Sequence, residues 1–170
     1  MIDTQSLRDR FARRLAHPLP ALVAALGGGA CIYLLAMGQS LGRLALIIPP
    51  FGASCVLVFL LPDSPLAQPR NVIGGHLISA LMGLAALAAF GSTPLGDAAG
   101  VAAAIFAMAM TRTVHPPAGA NPLIVVATAA GWRFLFTPVL AGAVTIVAIG
   151  WLFHRHGSRR AYPKVQPKAA

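Results

Sequence analysis

The chain has 170 residues, of which 57% are hydrophobic and 10% charged, with a formal net charge of +9 and a mean hydropathy of +0.75. Soluble domains carry about 25% charged residues, so this balance excludes an ordinary soluble domain and points to a bilayer. In a soluble chain the basic excess would suggest nucleic acid. Here the basic residues flank apolar segments, so no nucleic-acid partner is expected and the charge sets topology instead.

Taken in chain order, a basic N-terminal segment, about residues 1–18, carries Arg8, Arg10, Arg13 and Arg14. The apolar run that follows is longer than the core of a signal peptide and leads into further apolar segments, so a retained first span is expected. Six apolar segments can be drawn, at about 19–38, 45–62, 71–90, 96–113, 116–130 and 134–154. Val72 to Phe90 and Phe134 to Phe153 hold no Asp, Glu, Lys or Arg. At about 1.5 Å per residue each approaches the roughly 30 Å of hydrocarbon. Residues 155–170 form a basic tail with Arg155, Arg159, Arg160, Lys164 and Lys168. Cys31 and Cys55 lack metal-ligand spacing and are expected to be free, buried thiols.

Basic residues at both ends predict cytoplasmic termini and an even number of crossings. With six crossings Arg70 and Arg112 also fall inside, and only Arg43 and Arg133 fall outside. Four crossings is the alternative, with one broken segment in each half merged or buried.

Within this apolar sequence a short string occurs twice. Pro49 Pro50 Phe51 Gly52 Ala53 Ser54 returns 67 residues later, at 116 rather than 49, as Pro116 Pro117 Ala118 Gly119 Ala120 Asn121. Adjacent prolines cannot sit in an unbroken helix, so the same break is written twice. The same offset pairs Val58 with Val125, Val72 with Val139, Gly75 with Gly142 and Gly83 with Gly150. We read an internal duplication, with repeats at about 19–90 and 96–154; two unrelated helix kinks are the other reading. Three crossings per repeat would invert the second copy relative to the first. The predicted fold is therefore all-α and polytopic, built as two inverted three-helix repeats with broken or short second helices.

The strings predict short helices starting near Gly52 and Gly119, with Ser54 and Asn121 as capping types. Free amides and the positive end of the helix dipole would favour an anion there. Asp63 and Asp97 fall in connections, so the apolar interior holds no carboxylate to attract a cation. The expected pathway residues are Pro49, Pro50, Gly52, Ala53, Ser54, His115, Pro116, Pro117, Gly119, Ala120 and Asn121.

His115 precedes the second Pro-Pro pair where the first copy has Ile48, so one ionisable group breaks the symmetry. It could meet an anion or carry a proton, or it could satisfy carbonyls that the prolines free. His76 and Arg112 are accessory candidates, with helix-helix hydrogen bonding and a snorkelling anchor as their alternatives. Gly75, Ser79 and Gly83, like Gly96 and Gly100, form small-residue ridges suited to packing between repeats or between subunits, and a homo-oligomer is expected. Trp132 and Trp151 suit interfacial anchoring.

At Arg112 Thr113 Val114 His115 Pro116 Pro117 Ala118 Gly119 Ala120 Asn121 Pro122, together with the first string, the chain resembles the HPP family of integral membrane proteins over about residues 15–155. Members in plastids and cyanobacteria are associated with nitrite transport, which the resemblance implies here. Family descriptions often count four spans, and some members carry a C-terminal CBS module that is not expected in this polypeptide. The expectation is a transporter or channel for a small inorganic anion, nitrite favoured, in a bacterial cytoplasmic (inner) membrane. A non-transporting subunit that docks a partner membrane protein is the alternative. No paired carboxylates, activated nucleophile or metal-ligand spacing is apparent, so neither catalysis, cofactor nor metal is expected.

Overall fold

The computed structural model describes residues 18–42 and 45–164. The N-terminal arginines, Arg43 and Lys168 lie outside the described residues. Every regular element among those described is helical: α1 (Pro18–Gly42), α2 (Pro50–Leu60), α3 (Pro69–Phe90), α4 (Pro94–Met110), α5 (Asn121–Ala127) and α6 (Trp132–Ser158). α1, α3 and α6 have 25, 22 and 27 residues and are long and apolar enough to cross a bilayer. α2 and α4 are shorter apolar helices, and α6 bends at Thr137, whose backbone leaves the helical region just before Pro138.

The prolines set the helix starts. α2, α3 and α4 each begin on a proline, which lacks the amide that a first turn leaves unpaired. The second segment is shorter than the expected 45–62, because the helix starts only at Pro50 and spans roughly 16 Å. In the second copy Pro116 forces His115 to extended backbone, φ −137° and ψ 98°. Pro116–Ala120 then makes a 3-10 turn, and α5 begins at Asn121. The fourth segment ends at Met110 rather than near 113. Thr93 caps α4, its Oγ1 accepting from the Gly96 amide at 3.1 Å, and Gly91, at φ 66°, turns the chain after α3.

α1 buries one seam, Ala24, Gly27, Cys31 and Leu35, and leaves Leu19, Leu22, Leu26 and Leu41 exposed. That outward surface suits acyl chains and would be costly in water. Trp132 stands exposed at the start of α6, and Arg155 lies 5.4 Å over the Trp151 ring near its end.

Three connections gather at one end of the bundle. Arg70 donates to Thr111 O at 2.9 Å and Asn71 to Val114 O at 2.8 Å. The segment after α6 joins them: the Lys164 amide donates to Gln68 Oε1 at 2.8 Å, Tyr162 OH to Ala67 O at 3.0 Å, and Lys164 Nζ pairs with Asp63 at 2.7 Å. Burial pushes the Tyr162 phenol up, which keeps it a donor. At another point of the bundle the α3–α4 turn meets the end of α5, where Ser92 Oγ donates to Val126 O at 2.8 Å.

α3 lies at the centre, packed on α4, α5, α6 and the Pro116–Ala120 turn. Its small-residue ridge faces the second string: Ser79 Oγ donates to Ala118 O at 2.6 Å, and Gly83 sits against Pro122 and Val125. The ridge is thus an internal seam. The contacts recur reciprocally with the 67-residue offset. A Cβ on Gly75 would lie 2.8 Å from Thr113 O, and one on Gly142 would lie 2.8 Å from Leu46 O. Gly83 abuts Val125, and Gly150 abuts Val58. In each case a glycine of one half receives the matching residue of the other, and Val58, Val72, Val125 and Val139 are all completely buried.

A methyl group on Gly142 would overlap the Phe51 ring and meet the Leu46 carbonyl, whereas one on Gly29 meets nothing within 4 Å. Gly142→Ala is therefore expected to destabilise the protein by about 1–3 kcal/mol, measured as a lowered thermal midpoint in detergent, with Gly29→Ala close to wild type.

Candidate functional site

The two strings meet through side chains. Ser54 faces inward from the middle of α2, Asn121 from the start of α5, His76 from the third turn of α3, and His115 from the extended residue ahead of Pro116. All four are completely buried. Ser54 Oγ lies 2.9 Å from His76 Nε2 and 2.8 Å from His115 Nε2. The same oxygen lies 3.2 Å from Pro50 O, one helical turn back.

The outer ring nitrogens are also held. His115 Nδ1 lies 2.8 Å from Leu66 O, in the turn ahead of α3. His76 Nδ1 is 3.1 Å from Asn121 Nδ2 and 3.4 Å from Asn121 Oδ1, and Asn121 Nδ2 donates to His76 O at 2.9 Å. The imidazoles contact edge to face with centroids 5.0 Å apart, and Phe51 closes the other side of His76 at 5.0 Å. Among the described residues no buried side-chain nitrogen or oxygen lacks a partner.

Local sequence explains the placement. The extended backbone that Pro116 imposes turns His115 toward α3, and Gly75 allows the approach, since a Cβ there would lie 2.7 Å from His115 Cβ. Ser54 and Asn121 occupy the same position in the two strings and lie against opposite nitrogens of one imidazole, His76.

Neither Ser54 nor Asn121 caps a helix, which corrects the capping expectation. α2 begins after Pro49 and α5 after Ala120, with no side-chain cap at either, and both polar side chains are spent on the histidines. The leading amides are also engaged: Phe51 N donates to Ile48 O at 3.0 Å, Gly52 N to Pro49 O at 3.1 Å, and Ala118 N to His115 O at 2.9 Å. The free amides expected from the sequence are thus largely consumed by tight turns.

The other expected pathway residues divide between two surroundings. Pro50 is buried beside the cluster, while Pro117, Gly119 and Ala120 are half-buried. Pro49, Gly52, Ala53 and Pro116 are exposed, and nothing lies within 4 Å of a Cβ built on Gly52 or Gly119. Gly52 borders an apolar groove of about 460 Å³ between α1 and α2, lined also by Gly28, Cys55 and Phe59. Arg112 is exposed with a positive φ of 56°, outside the cluster. His76, an accessory in the sequence reading, is its central member. No group of three or more His, Cys, Asp or Glu that could hold a metal occurs among the described residues.

A model of the HPP transmembrane region matches residues 14–163. Two transmembrane proteins of Dictyostelium discoideum are similar, one 37% identical over 125 residues and the other 36% over 129. These matches cover 69% and 71% of this chain but 40% and 45% of the relatives, so the chain spans less than half of their length. No solved structure matches.

Proposed function

Because the chain belongs to the HPP family of membrane proteins, we propose that it moves a small inorganic anion across a bacterial cytoplasmic membrane, with nitrite the favoured substrate. The observation that carries this reading is the pair of completely buried imidazoles where two Pro-Pro breaks meet. Ionisable side chains at membrane depth are costly and mark pathways in transporters, and broken helices accompany substrate sites between repeats. Among the described residues no carboxylate is hydrogen-bonded to the cluster, so its donors offer an anion what they now offer one another. The resting arrangement is closed, and an anion would replace one of these bonds.

The reciprocal glycine contacts support two halves related by a pseudo-twofold axis in the membrane plane. The shared location of the 61–68, 111–114 and 159–164 segments fits six crossings, with α2 and the Pro116–Ala127 stretch as the short ones. In this arrangement the termini are cytoplasmic, and the exposed face beside Gly52 is available to a second copy of the chain.

Flux in proteoliposomes tests the reading. Nitrite should enter faster than into empty vesicles, a control made necessary because nitrous acid crosses lipid alone. His115→Ala and Asn121→Ala should each lower that flux about tenfold or more, the scale of one lost hydrogen bond to a charged group. Wild-type rates no better than empty vesicles for nitrite, nitrate, formate and chloride would remove the transport reading. Topology has its own check, thiol labelling of single cysteines after Cys31 and Cys55 are replaced. Positions 63, 112 and 164 should label from one side and 92 and 131 from the other; labelling of 112 and 131 from the same side would rule out six crossings.

A further inference from the structure

The cluster has one hydroxyl hydrogen for two imidazole contacts, and that count fixes where its protons sit. A carbonyl only accepts, so His115 Nδ1, 2.8 Å from Leu66 O, carries a hydrogen. Neutral His115 then has a lone pair on Nε2, and the Ser54 hydroxyl donates to it. Ser54 Oγ is left to accept, so His76 carries its hydrogen on Nε2. His76 Nδ1 is therefore a lone pair, and it accepts from Asn121 Nδ2, whose second hydrogen goes to His76 O. The result is a directed chain from Asn121 through His76, Ser54 and His115 to Leu66, with every member satisfied.

The same geometry accepts one more proton without moving a backbone atom. If His115 Nε2 is protonated, it donates to Ser54 Oγ, and the hydroxyl rotates to Pro50 O, 3.2 Å away. His76 keeps its bond to Ser54, and His115 keeps its bond to Leu66. The extra proton reaches His115 along the chain: a proton arriving at the His76 Nδ1 lone pair displaces the Asn121 amide, the His76 Nε2 hydrogen passes to Ser54 Oγ, and the Ser54 hydrogen passes to His115 Nε2. One proton enters at His76 Nδ1, one hydrogen is exchanged through the Ser54 oxygen, and one leaves from His115 Nδ1; no electrons move.

We propose that His115, Ser54 and His76 form a proton relay that makes anion passage proton-coupled and electroneutral. The proposal rests on the transport reading above. An extra proton gives the cluster a charge in a low-dielectric surrounding, and a bound monovalent anion offsets it. Each therefore favours the other, and the favour is reciprocal. Other titratable or charged groups on the surrounding elements are free thiols, are engaged elsewhere or lie at the ends. Cys55 of α2 is a free, buried thiol, as is Cys31 of α1, Asp63 pairs with Lys164, and Arg70 donates to Thr111 O. On α6 and beyond, His154 bonds Val58 O and Ser158, Arg155 lies over Trp151, and Arg160 reaches Leu60 O. Arg112 and Arg133 are exposed, and Asp97 lies in the first turn of α4. Among the described residues no carboxylate is hydrogen-bonded to either relay histidine, so a mobile anion is the natural counter-charge.

The test combines flux with a measurement that does not depend on flux. In proteoliposomes loaded with a pH dye, nitrite and nitrate entry should be driven by an inward proton gradient, carry one proton per anion, and ignore a potential imposed with potassium and valinomycin. Ser54→Ala should lose gradient-driven entry about tenfold while its elution stays near wild type and its thermal midpoint falls by only a few degrees. Entry that follows the imposed potential, carries no proton and survives in Ser54→Ala would overturn the relay and leave the transport reading standing. Nitrogen-15 NMR of histidine-labelled wild-type protein at neutral pH should find His115 protonated on Nδ1 and His76 on Nε2. The same tautomer at both sites, or the reverse pair, would overturn the relay even if no anion moved, whereas absence of all flux with the expected tautomers would instead remove the transport reading.

Discussion

Hydrocarbon supplies no hydrogen bonds, so each polar group that a broken membrane helix exposes must find a partner inside the protein. The arrangement around His76 follows from that constraint. Two Pro-Pro strings stand at the starts of two short helical segments, and the polar side chain that ends each string is taken up by one imidazole on the central helix. His115, left beside the second break, closes the remaining gap between Ser54 and the Leu66 carbonyl. A pair of defects that would each be costly alone becomes a satisfied network when they face each other.

Close approach makes the facing possible, and glycine supplies it at matched positions in the two halves. Gly75 admits the extended segment that carries His115, and Gly142 admits the corresponding segment of the first half beside Phe51. These glycine contacts therefore recur at matched positions, while the chemistry does not. Ile48 stands where the second half has His115, and Ala143 stands where the first half has His76. The two imidazoles meet at one hydroxyl, that of Ser54.

Much of this was legible in the sequence. The repeated strings gave the breaks, the uncharged stretches gave the long helices, and the offset pairs at 58, 72, 75 and 83 proved to be buried in both halves. Helix ends were less legible, because an X-Pro restriction acts through the residue before it. Pro49 stays helical ahead of Pro50, but His115 is extended ahead of Pro116, and the two copies consequently begin their helices at different points. Ser54 and Asn121 read as caps because serine and asparagine beside a break usually serve that role. Their true partners lie 22 and 45 residues away along the chain, beyond the reach of local pattern. His76 could have been placed from its position beside the Gly75, Ser79 and Gly83 ridge, since that ridge marks the face of α3 that meets the second string.

The most direct measurement of the central contact is a double-mutant cycle on unfolding free energy between Ser54 and His115, which join α2 to the segment ahead of α5. Ser54→Ala, His115→Leu and the double variant, unfolded reversibly in detergent, isolate the interaction from the loss of either side chain alone. A hydrogen-bonded pair at 2.8 Å predicts a coupling of about 1 kcal/mol or more. Additivity within about 0.5 kcal/mol would mean that the two strings do not share this bond, and would contradict the arrangement on which the site depends.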